Sequence, residues 1–207
     1  MQLGPLAKPP SHLAPKTAEI LRAVRMAFVE KGFDGASMQD LARAAGMSVG
    51  NFYRYFPSKD AIITQLIALD MAEIEAEFAH VLQSPRPMAT LRALIETRLR
   101  LSQSDKTGQL WAETAAAAKR RPDIAACACE MEQTVAVYLA QVFAAETGLP
   151  APQCRARFAA QSAYIIMLIR SAAMLAPSLG AGPDLTPLIL RTINEVLDDI
   201  ASAGSKG

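Results

Sequence analysis

The sequence predicts an all-α protein of about nine helices, and three observations carry that expectation. The 207 residues hold 39 Ala and 22 Leu against 8 Val and 13 Ile, so strong helix formers far outnumber β-branched aliphatics. Proline and glycine cut the chain into long breaker-free stretches at 16–31, 58–84, 88–107, 109–121, 123–147, 153–176 and 188–203. Alternating apolar and polar runs bounded by turn residues, the mark of strands, are missing, and so is any internal repeat.

The first residues, MQLGPLAKPPSHLAPK, read as a flexible arm over 1–15 because Pro5, Pro9, Pro10 and Pro15 oppose a helix. From 17 to 31, Ile20, Ala23, Val24, Ala27 and Phe28 recur at helical spacing, and Gly32 closes that helix. Ser37 then offers an N-cap with Asp40 three residues on, the two halves of a capping box. Leu41, Ala42 and Ala45 give a short apolar face that ends at Gly46. A second cap at Ser48 opens the run Val49-Gly-Asn-Phe-Tyr-Arg-Tyr55, and Pro57-Ser58 ends it. Two short helices joined by a tight turn make a helix-turn-helix.

The second of these helices suits DNA. Ser48, Val49, Gly50 and Asn51 are small or modest, which lets the helix start press into a major groove. Asn51 presents a donor and an acceptor together to adenine, and Val49 fits a thymine methyl. Tyr53, Arg54 and Tyr55 carry donors for phosphate oxygens, while Phe52 and Phe56, four apart, face inward. Lys59 and the amides opening the next helix can hold phosphate, as can Ser37, and Gln39 is long enough to reach a base edge. Net charge is only +1, but residues 1–60 hold 8 basic and 5 acidic groups, whereas 61–207 hold 13 and 15.

The series Ile20-Leu21, Ala23, Phe28, Glu30-Lys31-Gly32-Phe33, Ser37-Met38, Leu41-Ala42, Ala45-Gly46-Met47-Ser48, Gly50, Phe52-Tyr53, Tyr55-Phe56 and Ser58-Lys59 closely resembles the DNA-binding domain of TetR-family transcriptional regulators. Arg25 and Met26 depart by swapping the usual polar and apolar order, and Ala27 replaces a larger aliphatic. The resemblance implies an all-α homodimer, usually a repressor, that binds a palindromic operator and lets go when a small molecule enters its C-terminal domain. It matches Ser37, Tyr53, Tyr55 and Lys59 to phosphate contacts, and Gln39, Val49, Gly50 and Asn51 to base contacts. Leu110-Trp-Ala-Glu113 and Arg120-Arg-Pro122 look like one C-terminal subgroup of that family.

These readings divide the chain into an arm (1–15), a three-helix DNA-binding domain (16–60) and a ligand-binding and dimerisation domain (61–207). A helix over 58–82 carries Ile62, Ile63, Leu66, Ile67, Ile74, Phe78 and Val81 on one side and spans roughly 35–40 Å. Its Asp70, Glu73, Glu75 and Glu77 are expected to be a solvated face. Residues 153–176 are apolar nearly all round, and 185–200 repeat Leu185, Leu188, Ile189, Ile193, Val196, Leu197 and Ile200. Two such helices from each of two chains can form a four-helix homodimer interface. Trp111, Met131, Tyr138, Phe143, Tyr164 and Met167 are the expected ligand-pocket residues, being aromatics and methionines among the apolar helices. Arg98, Glu113 and Arg170 are charges in apolar stretches, either paired with each other or open to a polar ligand.

Other classes fare worse. The two histidines, His12 and His80, sit in no nucleophile–base or metal motif, so neither catalysis nor a cofactor or metal is expected. Cys127, Cys129 and Cys154 fit buried structural thiols in a reducing cytoplasm. The longest apolar run falls well short of the about 20 residues a membrane span needs. The remaining alternative is a helical protein–protein interaction module without DNA binding, which a gel-shift would distinguish.

Overall fold

A computed structural model of the chain describes residues 14–104, 107–175 and 185–204. The expected arm therefore lies largely outside the described residues. Among those residues there is no strand, and no helix is long and apolar enough to cross a membrane. The described residues form ten helices: α1 (Pro15–Gly35), α2 (Met38–Ala44), α3 (Val49–Tyr55), α4 (Lys59–Gln83), α5 (Pro87–Ser104), α6 (Thr107–Ala118), α7 (Pro122–Thr147), α8 (Ala151–Arg157), α9 (Ala159–Leu175) and α10 (Thr186–Gly204). Contacts divide the chain into two units that meet within α4, between Glu73 and Ile74.

The first unit is built on α1. Pro15 opens the helix instead of ending an arm, because the first helical position needs no N–H donor. Gly32 interrupts it with φ 70° and ψ 167°, a conformation essentially reserved for glycine. This kink turns the chain so that Phe33 packs edge-on to Phe28 at 4.9 Å. Leu21, Val24, Phe28, Leu41, Phe52, Phe56, Ile62 and Ile63 are completely buried and form the core. Gly46, at φ 64°, supplies the left-handed turn between α2 and α3.

The departures at Arg25 and Met26 have a reason here. Arg25 pairs with Asp70 on α4, whereas Met26 is exposed. Arg22 similarly approaches Glu73 at 3.7 Å.

In the second unit α7 and α5 provide the central packing. Leu91, Leu99, Leu139, Val142, Phe143, Ile193 and Leu197 are buried together with Phe78 and Val81. At Gly108 in α6, an added Cβ would lie 1.8 Å from the carbonyl oxygen of Ala173 in α9. The two backbones are thus in direct contact, with no space for a side chain. Arg92 on α5 reaches α10, donating to Asn194 Oδ1 at 2.7 Å and pairing with Asp198 at 2.6 Å.

Several expectations need correction. The tenth helix arises because the stretch 153–176 bends at Phe158, which has φ −108° and ψ 24° without any proline or glycine. Helical hydrogen bonds continue across the bend, from Phe158 N–H to Cys154 and from Ser162 N–H to Phe158, both at 2.9 Å. The α4 carboxylates are only in part a solvated face: Glu73 is exposed, but Asp70 pairs with Arg25 of α1, Glu77 pairs with Arg98 of α5, and Glu75 is half-buried. Cys154 is buried and Cys127 is half-buried, but Cys129 is exposed, since residues two apart point to different sides of a helix.

Candidate nucleic-acid interface and internal cavity

The helix-turn-helix is held by its own caps. Ser37 Oγ accepts from Asp40 N–H at 3.1 Å and donates to Asp40 Oδ2 at 2.6 Å, while Ser37 N–H donates to the same carboxylate at 3.0 Å. Lys31 Nζ adds a 2.6 Å bond to Asp40 Oδ1. Those hydrogen bonds, that from Lys31 foremost, hold the Asp40 carboxyl well below the usual carboxylate range. Ser48 Oγ accepts from Asn51 N–H at 3.3 Å and opens α3.

On α3 the side chains separate sharply. Phe52 is completely buried, as is Phe56 just after the helix, with ring centroids 5.2 Å apart. Gly50, Asn51, Tyr53, Arg54 and Tyr55 are exposed, with Val49 half-buried beside them. Tyr53 and Tyr55 keep 48% and 38% of their surface, large values for aromatic side chains. A Cβ placed on Gly50 would meet nothing within 4 Å. No neighbour in the fold requires glycine there, although glycine costs up to about 1 kcal/mol in a helix relative to alanine. Gln39 on α2 is exposed as well.

Ser37 and Lys59 have structural duties. The Ser37 hydroxyl proton is committed to the capping box. Lys59 Nζ donates to the carbonyls of Phe33 and Asp34, both at 3.0 Å, and so ties the start of α4 to the end of α1. An ammonium has three donors, which leaves one for an outside acceptor.

The second unit contains a cavity of about 250 Å³. Leu91, Leu94, Ile95, Val135, Ile165 and Ile169 make most of an apolar wall, which Glu77, Arg98, Glu132 and Arg170 interrupt. Arg98 is bound to Glu77 by two parallel bonds, Nε to Oε2 at 3.0 Å and Nη2 to Oε1 at 2.7 Å. Arg170 pairs with Glu132 through Nη1, and its guanidinium lies 5.5 Å from the Trp111 ring centroid. Burial pushes the Arg170 pKa down. Arg98 thus pairs with Glu77, which was expected on a solvated face, and Arg170 pairs with Glu132, which the sequence did not single out.

The six expected pocket residues divide three ways. Trp111 and Met131 line the cavity. Tyr138 stands behind it, stacked on Phe78 at 5.1 Å, and Phe143 is a core residue edge-on to Phe158. Tyr164 and Met167 lie on an exposed side of α9, Met167 with 52% of its surface free. Aromatic or thioether character marks a residue that fills space, but only the rotation of its helix decides which space. A charge inside an apolar stretch was the better signal for the cavity wall.

Comparison with known proteins agrees with this geometry. Residues 20–66 match the model of the bacterial regulatory proteins of the tetR family. The transcriptional regulator UidR of Escherichia coli K12 is 30% identical over 129 residues, which are 61% of this chain and 64% of that protein. The transcriptional repressor Rv1474c of Mycobacterium tuberculosis is 29% identical over 114 residues, 51% of this chain and 61% of that one. The chain therefore spans less than two thirds of the length of these relatives. A TetR transcription regulator from Haloarcula marismortui shares the fold, with a TM-score of 0.72 at 18% identity over 89% of this chain and 97% of that one.

Proposed function

We propose, from the match of residues 20–66 to the tetR family of bacterial regulatory proteins, that the chain is a ligand-responsive transcriptional regulator of that family. It binds a palindromic DNA operator as a homodimer, represses, and is released by a small molecule. The observation that carries this reading is α3 itself: Gly50, Asn51, Tyr53, Arg54 and Tyr55 are exposed around a helix anchored by Phe52 and Phe56. Gly50 with its empty surroundings lets the helix backbone come close to base edges. Val49, Asn51 and Gln39 read bases, and Ser48, Tyr53, Arg54 and Tyr55 hold phosphates. Ser37 and Lys59 act at the same surface chiefly by fixing α2 and α4, with the remaining donor of Lys59 directed to a phosphate.

Two heads must meet successive major grooves, about 34–36 Å apart, which a dimer achieves. Tyr164 and Met167 on α9, with Leu185 and Leu188 at the start of α10, are exposed apolar residues that suit that contact. The cavity in the second unit, with Trp111 and Met131 in its wall, is the effector site. The test is fluorescence anisotropy of the purified chain on DNA fragments flanking its own gene, with a salt titration. Saturable, sequence-selective binding by a dimer is expected, and a monomer indifferent to every fragment overturns the reading.

A further inference from the structure

We propose that the cavity takes a small amphiphile with an apolar tail and a single carboxylate head, the head replacing Glu132 on Arg170. The assignment rests on the cavity being the effector site and names the class of its guest.

The two ion pairs in the wall differ in kind. Arg98 and Glu77 are joined by two parallel hydrogen bonds, so neither is easily exchanged. Arg170 meets Glu132 through Nη1 and is held on its other side by the Trp111 ring. Within this second pair the partners are unequally held. The Arg170 side chain is 24% exposed and fixed against Trp111, whereas the Glu132 side chain is 44% exposed. Both residues also border an open groove on the outer side of α7 and α9, formed with Gln133, Ala136 and Met167. Glu132, the more exposed of the two, is the partner that can swing into that groove, whereas Arg170 is held against the Trp111 ring.

A half-buried guanidinium deprived of its counter-charge is strongly unfavourable, so whatever displaces Glu132 must bring an anion. A planar carboxylate matches the guanidinium fork. A cation would have to displace the better-buried, ring-stacked partner and is disfavoured. The rest of the wall is leucine, isoleucine, valine, methionine and alanine with the rings of Phe78 and Trp111, which suits a hydrocarbon tail. About 250 Å³ lies below the roughly 300–1,000 Å³ of sites for drug-sized ligands, so the tail is short.

Decanoate, decanol and decylamine, each below its micellar concentration, test this by calorimetry and thermal melting of the full-length chain. Decanoate is expected to bind most tightly and decylamine least. Glu132→Gln should tighten decanoate binding by about tenfold, since the competing carboxylate is gone, and leave decanol unchanged. Arg170→Gln should weaken decanoate by about tenfold and abolish its advantage over decanol. Should Arg170→Gln not fold, Glu132→Gln alone decides, because a merely structural carboxylate would not improve binding when removed. Decanoate binding no better than decanol, or weakened by Glu132→Gln, overturns the assignment. DNA binding measured on the same samples separates the two readings. Operator binding without the decanoate pattern sinks this assignment alone, and the decanoate pattern without operator binding sinks the regulator reading alone.

Discussion

The two units solve opposite problems with the same helical material. In the first, apolar side chains are driven into one dense core, and the polar ones cap helices, pair between α1 and α4, or stand exposed as on α3. In the second, apolar side chains surround a hole, and four charged groups interrupt its wall in pairs. A surface that must meet a large partner is stiffened from behind, whereas a space that must admit a small one is left underfilled. α4 shows both arrangements along one helix: Asp70 and Glu73 are spent on α1, and Glu77 is spent on the cavity wall.

The contrast in packing density gives the largest expected effect. Phe52→Ala removes a fully buried ring from the dense core and should cost about 3–5 kcal/mol in urea denaturation. Leu94→Ala in the cavity wall should cost clearly less, because Leu94 is only half-buried and already borders empty space. Equal losses would erase the distinction between the units.

Two helical glycines sharpen the same point with opposite signs. Gly108→Ala forces a methyl group into the carbonyl of Ala173 and should destabilise by about 1–3 kcal/mol. Gly50→Ala meets nothing and should raise stability by up to about 1 kcal/mol, yet weaken operator binding. Thermal melts and anisotropy on both variants check this; a stabilised Gly50→Ala that binds DNA normally would remove the case for close backbone approach.

Smaller effects separate contact from support within the head. Arg54→Ala, at an exposed position, should flatten the salt dependence of DNA binding by about one unit of slope with an unchanged melting temperature. Lys59→Met should lower the melting temperature as well, because the Phe33 and Asp34 carbonyls lose their donor. Asn51→Ala should alter which operator sequence is preferred.

The smallest effect is a pH dependence. The folded Asp40 carboxyl titrates below its unfolded counterpart, so its stabilisation is complete above the ordinary carboxylate range and disappears as pH falls through the lowered value. The melting difference between the wild type and Asp40→Asn should therefore be full near neutrality and shrink in acid.

What could be read in the sequence was whatever depends on neighbours along the chain. Ser37, Ser48, Gly32 and Gly46 mark helix ends because caps and positive φ angles are set within a few residues. Phe52 and Phe56 follow from spacing. The bend at Phe158 gave no signal, since tertiary packing imposes it on residues that would otherwise continue a helix. The partners of Asp70, Glu77, Arg98 and Arg170 were equally hidden, because pairing across helices depends on how each is rotated. For that reason Phe143, Tyr164 and Met167 fell outside the cavity while Glu77 and Glu132 fell within its wall.

The bare crossing of Gly108 and Ala173 has an evolutionary corollary. Mutational drift can resize leucines and isoleucines one at a time and so retune the guest the chamber accepts. At the crossing, however, the smallest possible enlargement is already a collision. Descendants of this sequence that acquire new chemical tastes should vary freely around the chamber while inheriting that glycine as a fixed pivot.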